Sequence, residues 1–162
     1  MLAVVAVIAA LMVSPAPSGG KLEAHIVRVH PGAAPYAGEL AARIKAEAGH
    51  FGLDVPLFAA ICEIESRYHL YQPGRRPADS LASIWQIYPD ADWLAIPRMQ
   101  RQRLSRDLVV ATWRAAVILA YHVSRCRVRG PACYCRYNRQ PCRRGYIAEL
   151  YKRARVIRAA LR

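Results

Sequence analysis

Glu63 and Glu65 are the two side chains of this sequence whose type and surroundings best suit acid–base chemistry. On a helix turning about 100° per residue, Leu57, Ile61, Ile64 and Tyr68 fall within roughly 60° of one another. Glu65 lies about 60° from the centre of that apolar stripe, and Glu63 about 140° from it. The spacing therefore predicts a solvated Glu63 and a Glu65 at the edge of the apolar face. A carboxyl held there is partly desolvated, which raises its pKa and keeps it protonated near neutral pH. A general acid needs that state. The plainer reading of Glu65 is a half-buried carboxylate paired with an arginine.

Thiol chemistry is the second possibility. The cysteines are Cys62, Cys126, Cys133, Cys135 and Cys142, and the last four are spaced C-x6-C-x-C-x6-C. Zinc sites usually carry C-x2-4-C pairs, so this spacing points away from metal. In an exported protein it suggests one or two disulfides in an arginine-rich loop. Cys133 and Cys135 are too close to favour each other, so each would reach to Cys126, Cys142 or Cys62. The pairing stays open. Cys62 sits in an apolar helical pattern and reads equally well as a small core residue.

Helical periods dominate the scaffold from Tyr36 onward. Leu40, Ala41, Ile44 and Ala48 mark a first helix, stopped by Gly49 and Gly52. Asp54 ahead of Pro56 signals the start of the helix that carries Glu65. Pro73 to Pro77 reads as a loop, Ser80 to Tyr88 as a short apolar segment, and Asp90 as the cap of a small helix holding Trp93. Leu108, Ala111, Thr112, Ala115, Ile118, Leu119 and His122 outline a long helix. Arg125 to Arg144 is expected as a loop. Ile147, Leu150, Tyr151, Ala154, Ile157 and Leu161 form the seam of a last helix whose other face is arginine. Residues 21–35, with Pro31 and Pro35, read as a linker with a short strand at His25–His30. The fold class is mainly α.

Three segments in order resemble a known family. Ile61-Cys62-Glu63-Ile64-Glu65-Ser66-Arg67-Tyr68 is similar to the Glu-Ser helix of lytic transglycosylases of the soluble, goose-lysozyme-like type. Ser83-Ile84-Trp85-Gln86-Ile87-Tyr88-Pro89 resembles that family's Gly-Leu-Met-Gln-Ile-x-Pro segment, with Ser83 in place of Gly and Trp85 in place of Met. Arg136-Tyr137-Asn138 stands near the distance of the family's Ala-Tyr-Asn, and Tyr146 to Leu161 resembles its closing helix. Ala120-Tyr121-His122 falls too close to Gln86 to be that motif. The likeness covers about Tyr36 to Leu161. It implies a lysozyme-like helical domain over 36–162, to which the cysteine/arginine-rich loop is an addition.

The resemblance also implies an activity: cleavage of the β-1,4 bond between N-acetylmuramic acid and N-acetylglucosamine in peptidoglycan, forming a 1,6-anhydro sugar. Glu65 would be the catalytic acid and then base. Ser66 would orient Glu65 or polar groups of the sugar. Gln86 would bind N-acetyl and hydroxyl groups, and Tyr88 would line the groove. Tyr137 would hydrogen-bond Glu65, and Asn138 would fix the backbone beside it. Trp85 and Trp93 offer faces for sugar rings, although burial is the commoner fate of tryptophan. No metal or cofactor is implied. The alternatives are a lysozyme-like muramidase, for which Asp79, Asp90 and Asp92 are the nearest spare acids, and a non-enzymatic cationic module for envelope or nucleic acid. The chain lacks zinc-finger spacing and an RNA-recognition aromatic signature, which disfavours nucleic acid.

Length and charge fit one domain of 162 residues with 54% hydrophobic side chains, which excludes wholesale disorder. The net charge of +13 comes from 24 Lys+Arg against 11 Asp+Glu. Residues 1–97 hold 7 basic and 9 acidic side chains, while residues 98–162 hold 17 and 2. Such a C-terminal third suits a polyanionic partner: peptidoglycan strands, anionic envelope lipids, or a secretion, conjugation or phage lysis apparatus working on the wall. A solvated cationic surface is the plainer reading. The apolar run 2–13 spans roughly 18 Å as a helix, short of a ~30 Å hydrocarbon core. With Ser14 to Gly20 behind it, residues 1–20 read as a signal peptide or anchor, hence an exported, periplasmic or envelope-associated protein. A buried N-terminal helix is the other reading of that run.

Overall fold

A computed structural model of the chain describes residues 20–70, 84–87, 107–126, 130–138 and 143–162. The expected features at 2–13, 73–77 and around Trp93 lie outside them, as does Cys142. The described residues form helices and turns, with no strand among them. The helices are α1 (Gly20–Val29), α2 (Ala37–Phe51), α3 (Val55–Ser66), α4 (Leu108–Ser124), α5 (Pro131–Tyr134) and α6 (Arg144–Ala160). A 3-10 turn follows α1 at Pro31–Ala33, and another, Cys135–Asn138, follows α5.

α3 lies at the centre. It packs against α6, α2 and α5, while α4 covers α2. Every residue from Pro56 to Glu63 is buried. The single apolar stripe expected from the sequence is thus the wrong picture for this helix, which is enclosed on several sides. Its start follows the expected chemistry. The Asp54 carboxylate accepts the Leu57 N–H at 2.9 Å, and Arg158 of α6 forks onto both Asp54 oxygens at 3.0 and 2.8 Å. The Tyr134 hydroxyl accepts the Asp54 N–H at 2.8 Å, which ties α5 to the same point. Asp107 caps α4 through the N–H groups of Val109 and Val110, at 2.9 and 3.1 Å. α2 ends at Gly52, whose φ of +63° lets the Leu53 N–H close on the Ala48 carbonyl at 2.8 Å.

Two sequence expectations fail here. Residues 20–29 are neither linker nor strand but helix α1, with Leu22, His25 and Ile26 buried and Val29 packed on the core. Those positions follow i, i+3, i+4, i+7, and the exposed residues Lys21, Ala24 and Arg28 lie between them. The period was hidden by a histidine on the apolar face. The segment 125–144 is likewise not all loop, since α5 and its 3-10 turn carry buried Cys133, Tyr134, Cys135 and Tyr137. Cys126 and Cys133 form a disulfide that joins the end of α4 to α5, Cys135 is also disulfide-bonded, and Cys62 is a free, buried thiol.

Candidate active site

Glu65 stands in the last turn of α3, one residue before the helix ends at Ser66. The termination is unusual. Arg67 and Tyr68 both adopt left-handed backbone, with φ of +53° and +64°, where a glycine is ordinarily found. Two such residues in a row cost about 1–3 kcal/mol each and need support from their surroundings. The support is visible. The Tyr68 ring is fully buried, its carbonyl accepts the Tyr36 hydroxyl at 2.7 Å, and the same hydroxyl accepts the Leu70 N–H at 3.2 Å. The chain is thereby turned sharply away just after Glu65.

The Glu65 carboxyl is half-buried, and the Tyr146 hydroxyl of α6 donates to its Oε1 at 3.0 Å. Burial pushes its pKa up to about 7, against a smaller lowering by the Tyr146 hydrogen bond. It is therefore protonated in a large fraction of molecules at neutral pH. Glu63, two residues earlier, behaves in the opposite way. The sequence suggests a solvated side chain, yet Glu63 is only 7% exposed. Its Oε2 lies 2.9 Å from His25 Nε2 of α1, and its Oε1 accepts Arg153 Nη1 of α6 at 2.7 Å. Burial alone would raise its pKa, but His25 and Arg153 together outweigh that and hold it below the usual carboxylate range. Arg28 can only donate, so His25 Nδ1 accepts from it at 2.9 Å and the Nε2–H faces Glu63. The Tyr68 hydroxyl approaches Ala59 O and Glu63 Oε2, at 3.2 and 3.3 Å. Glu63 is a structural ion and Glu65 a poised acid.

The turn at 84–87 packs against α3 through Cys62 and Phe58. Ile84, Trp85 and Ile87 are buried, while Gln86 is partly exposed. Gln86 has φ of +50°, and this left-handed residue sets its side chain apart from its three buried neighbours. The turn is held at its first two residues. The Cys62 thiol contacts the Ile84 carbonyl at 3.9 Å, and the Tyr137 hydroxyl donates to the Trp85 carbonyl at 3.0 Å. Trp85 is a core residue, not a platform for a sugar ring: it stacks on Phe58 at 4.4 Å and donates to Thr112 Oγ1 at 3.1 Å. Among the described residues no group of three or more His, Cys, Asp or Glu side chains is arranged to hold a metal ion.

One hydrogen bond expected at Glu65 comes from another residue. The hydroxyl bonded to Glu65 is that of Tyr146, while Tyr137 reaches the backbone of the Gln86 turn. Tyr137 still lies close enough for the Glu65 charge, after its own burial, to raise its pKa. Ser66 is 1% exposed, and its hydroxyl donates back to the Cys62 carbonyl at 3.2 Å. This i−4 back-bond, a common one for serine in a helix, uses the proton of the hydroxyl. Asn138 ends the 3-10 turn that carries Tyr137; its side chain and Tyr88 lie outside the described atoms. Glu65, Gln86, Tyr137 and Tyr146 are thus brought into one region. Tyr146 escaped sequence reasoning, although its period on α6, one turn before Leu150, marks it as inward-facing. No protein-family model, curated protein or solved structure matches the chain.

Proposed function

We propose that the protein is a peptidoglycan lytic transglycosylase with Glu65 as its only acid/base group. The observation that carries this reading is a carboxyl protonated near neutral pH, at a helix end, that accepts from a tyrosine hydroxyl. The protonated Glu65 gives its proton to the glycosidic oxygen as the bond from muramic acid C1 breaks. The resulting carboxylate takes the proton of the C6 hydroxyl, whose oxygen closes onto C1. The 1,6-anhydro ring forms, no water is consumed, and Glu65 regains its proton. A pKa near the working pH suits both halves of that cycle. Hydrolysis by inversion or retention uses a second carboxyl across the bond. Glu63 is the acid nearest in sequence, and it is committed to His25 and Arg153. Gln86 would hold N-acetyl and hydroxyl groups, Tyr146 would orient Glu65, and Tyr137 would hold the Gln86 turn.

Isolated peptidoglycan incubated with wild-type protein and with Glu65→Gln tests this, with the soluble products weighed by mass spectrometry. Anhydro-muramyl fragments from wild type alone are expected. Reducing-end fragments would move the assignment to a muramidase. No fragments from either would leave a cationic binding module as the better account.

A further inference from the structure

We infer that the outer face of α6 is a docking surface for an anionic phospholipid membrane. α6 carries seven Lys or Arg residues among Arg144–Arg162 and its N-cap, and they divide into two sets. Arg153 is bound by Glu63 and Glu149, and Arg158 by Asp54. Arg143, Arg144, Lys152, Arg155 and Arg162 are exposed and have no acidic partner among the described residues. Glu149 is the only acidic residue of the helix, and Arg153 already takes it. At about 100° per residue, Arg144 and Arg155 lie roughly 20° apart on the helix surface. This is an uncompensated cationic stripe, not a mixed solvated face.

The apolar residues on the same exposed arc select the occupant. Tyr151 is 57% and Val156 47% exposed, although the helix has a buried seam through Leu150, Ala154 and Ile157 that could have received them. Tyr151 lies about 40° from Arg155. Tyr151 beside Arg144 and Arg155, with Val156 about 40° from Lys152 at the other edge of the exposed arc, suits a helix lying against a lipid interface, with cationic groups on phosphates and the ring at headgroup depth. A phosphate polymer would use the arginines but has no place for Val156. Tyr146, which holds Glu65, lies roughly 140–180° around the helix from Arg144, Tyr151 and Arg155. A protein seated by this face would keep Glu65 on the far side of α6 from the lipid.

The test is co-sedimentation of the full chain with vesicles of phosphatidylcholine alone and with one-third phosphatidylglycerol. Wild type is expected to prefer the anionic vesicles and to release in 1 M salt. Each arginine near an anionic surface is worth about fivefold in partitioning, so Arg144→Ala, Arg155→Ala and Arg162→Ala together should cost about a hundredfold. Tyr151→Ala with Val156→Ala should weaken binding roughly tenfold with the same salt dependence. These side chains are exposed, and unchanged helical circular dichroism verifies each fold. Equal partitioning into neutral and anionic vesicles overturns the inference, because it would point to simple insertion of an apolar segment. So does wild-type binding by the arginine variant. Preferential capture by double-stranded DNA at equal phosphate, lost in the arginine variant and untouched in the Tyr151/Val156 variant, overturns it in favour of nucleic acid. The inference does not rest on the peptidoglycan reading. Cleavage of short soluble glycan fragments is expected to be unchanged in both variants, so the two fail separately.

Discussion

Glu63 and Glu65 carry the same side chain two residues apart and are held in opposite states. The difference is in what dominates at each: His25 and Arg153 hold Glu63 as a carboxylate, while burial dominates at Glu65 and outweighs the Tyr146 hydrogen bond. It has a consequence for stability. Below pH 4.5 Glu65 is protonated whether folded or unfolded. Between 4.5 and its folded value of about 7, the unfolded chain loses the proton first. Stability therefore falls as pH rises through that window. Glu65→Gln keeps the neutral form at all pH values. It should be more stable than wild type above pH 7, by about 2 kcal/mol after allowance for partial solvent access, and lose that advantage below pH 4.5. Urea titrations at pH 4 and pH 8 measure this without any substrate. Activity reports on the same carboxyl. The Tyr146 hydrogen bond lowers the Glu65 pKa, so Tyr146→Phe should move the alkaline fall of kcat/KM to higher pH while reducing its maximum roughly tenfold. An unshifted profile would mean that Tyr146 does not orient Glu65. The edge position of Glu65 was legible in the sequence because it depends on local period alone. The partner of its carboxyl was not, because which tyrosine reaches it is decided by how α6 lies across α3.

Elements show why Glu63 was misjudged. A period of 3.6 describes one helix and one apolar face, and it placed Glu63 opposite that face. α3 is covered on further sides, by α1 through His25 and by α6 through Arg153. Reading residues 21–35 as a linker removed α1 from consideration, and with it any reason to bury Glu63. The amphipathic helices α2 and α4 were legible, α2 with its Gly52 stop, as was the Asp54 start of α3. Glu63 should thus behave as a tie between three helices. Glu63→Gln leaves Arg153 without its buried countercharge and puts an amide where a carboxylate meets the His25 Nε2–H, and should destabilise the protein by about 3 kcal/mol at pH 7. Because the folded pKa of Glu63 is depressed, its contribution is present above pH 4.5 and fades as pH falls below that. Thermal melts of wild type and variant should converge in acid. The Cys126–Cys133 bridge acts on another element. It closes a short loop and holds α5 and its 3-10 turn, which carry Tyr134 to Asp54 and Tyr137 to Trp85. Cys126→Ser with Cys133→Ser should cost about 2–3 kcal/mol by loop entropy. If the bridge also fixes the Gln86 turn, KM for glycan should rise more than kcat falls. A stability loss with unchanged KM would confine the bridge to folding.

At the scale of the molecule, charge and site occupy different parts of the chain. The first 97 residues, with 7 basic and 9 acidic side chains, supply Glu65 and Gln86, while residues 98–162 hold 17 of the basic side chains. α6 links the two roles, offering Tyr146 to Glu65 on its inner side and, on its outer side, arginines that have no acidic partner among the described residues. This division was half legible. The arginine excess is plain in the sequence, but which arginines are neutralised depends on Glu63 and Asp54, acids distant in sequence. It also separates two salt dependences. Long-range attraction between a +13 protein and a polymer bearing peptide carboxylates acts over about a Debye length, roughly 10 Å at 0.1 M salt and 3 Å at 1 M. In the proposed reaction, proton transfer from Glu65 would occur over hydrogen-bond distance in a partly desolvated site and would be screened far less. Sedimentation with intact peptidoglycan should therefore fall steeply as salt is raised across that range, while cleavage of a short soluble fragment should change less than about twofold. If both fell in parallel, the arginines would have to act at the bond being cut, and the division of α6 into an inner and an outer role would be lost.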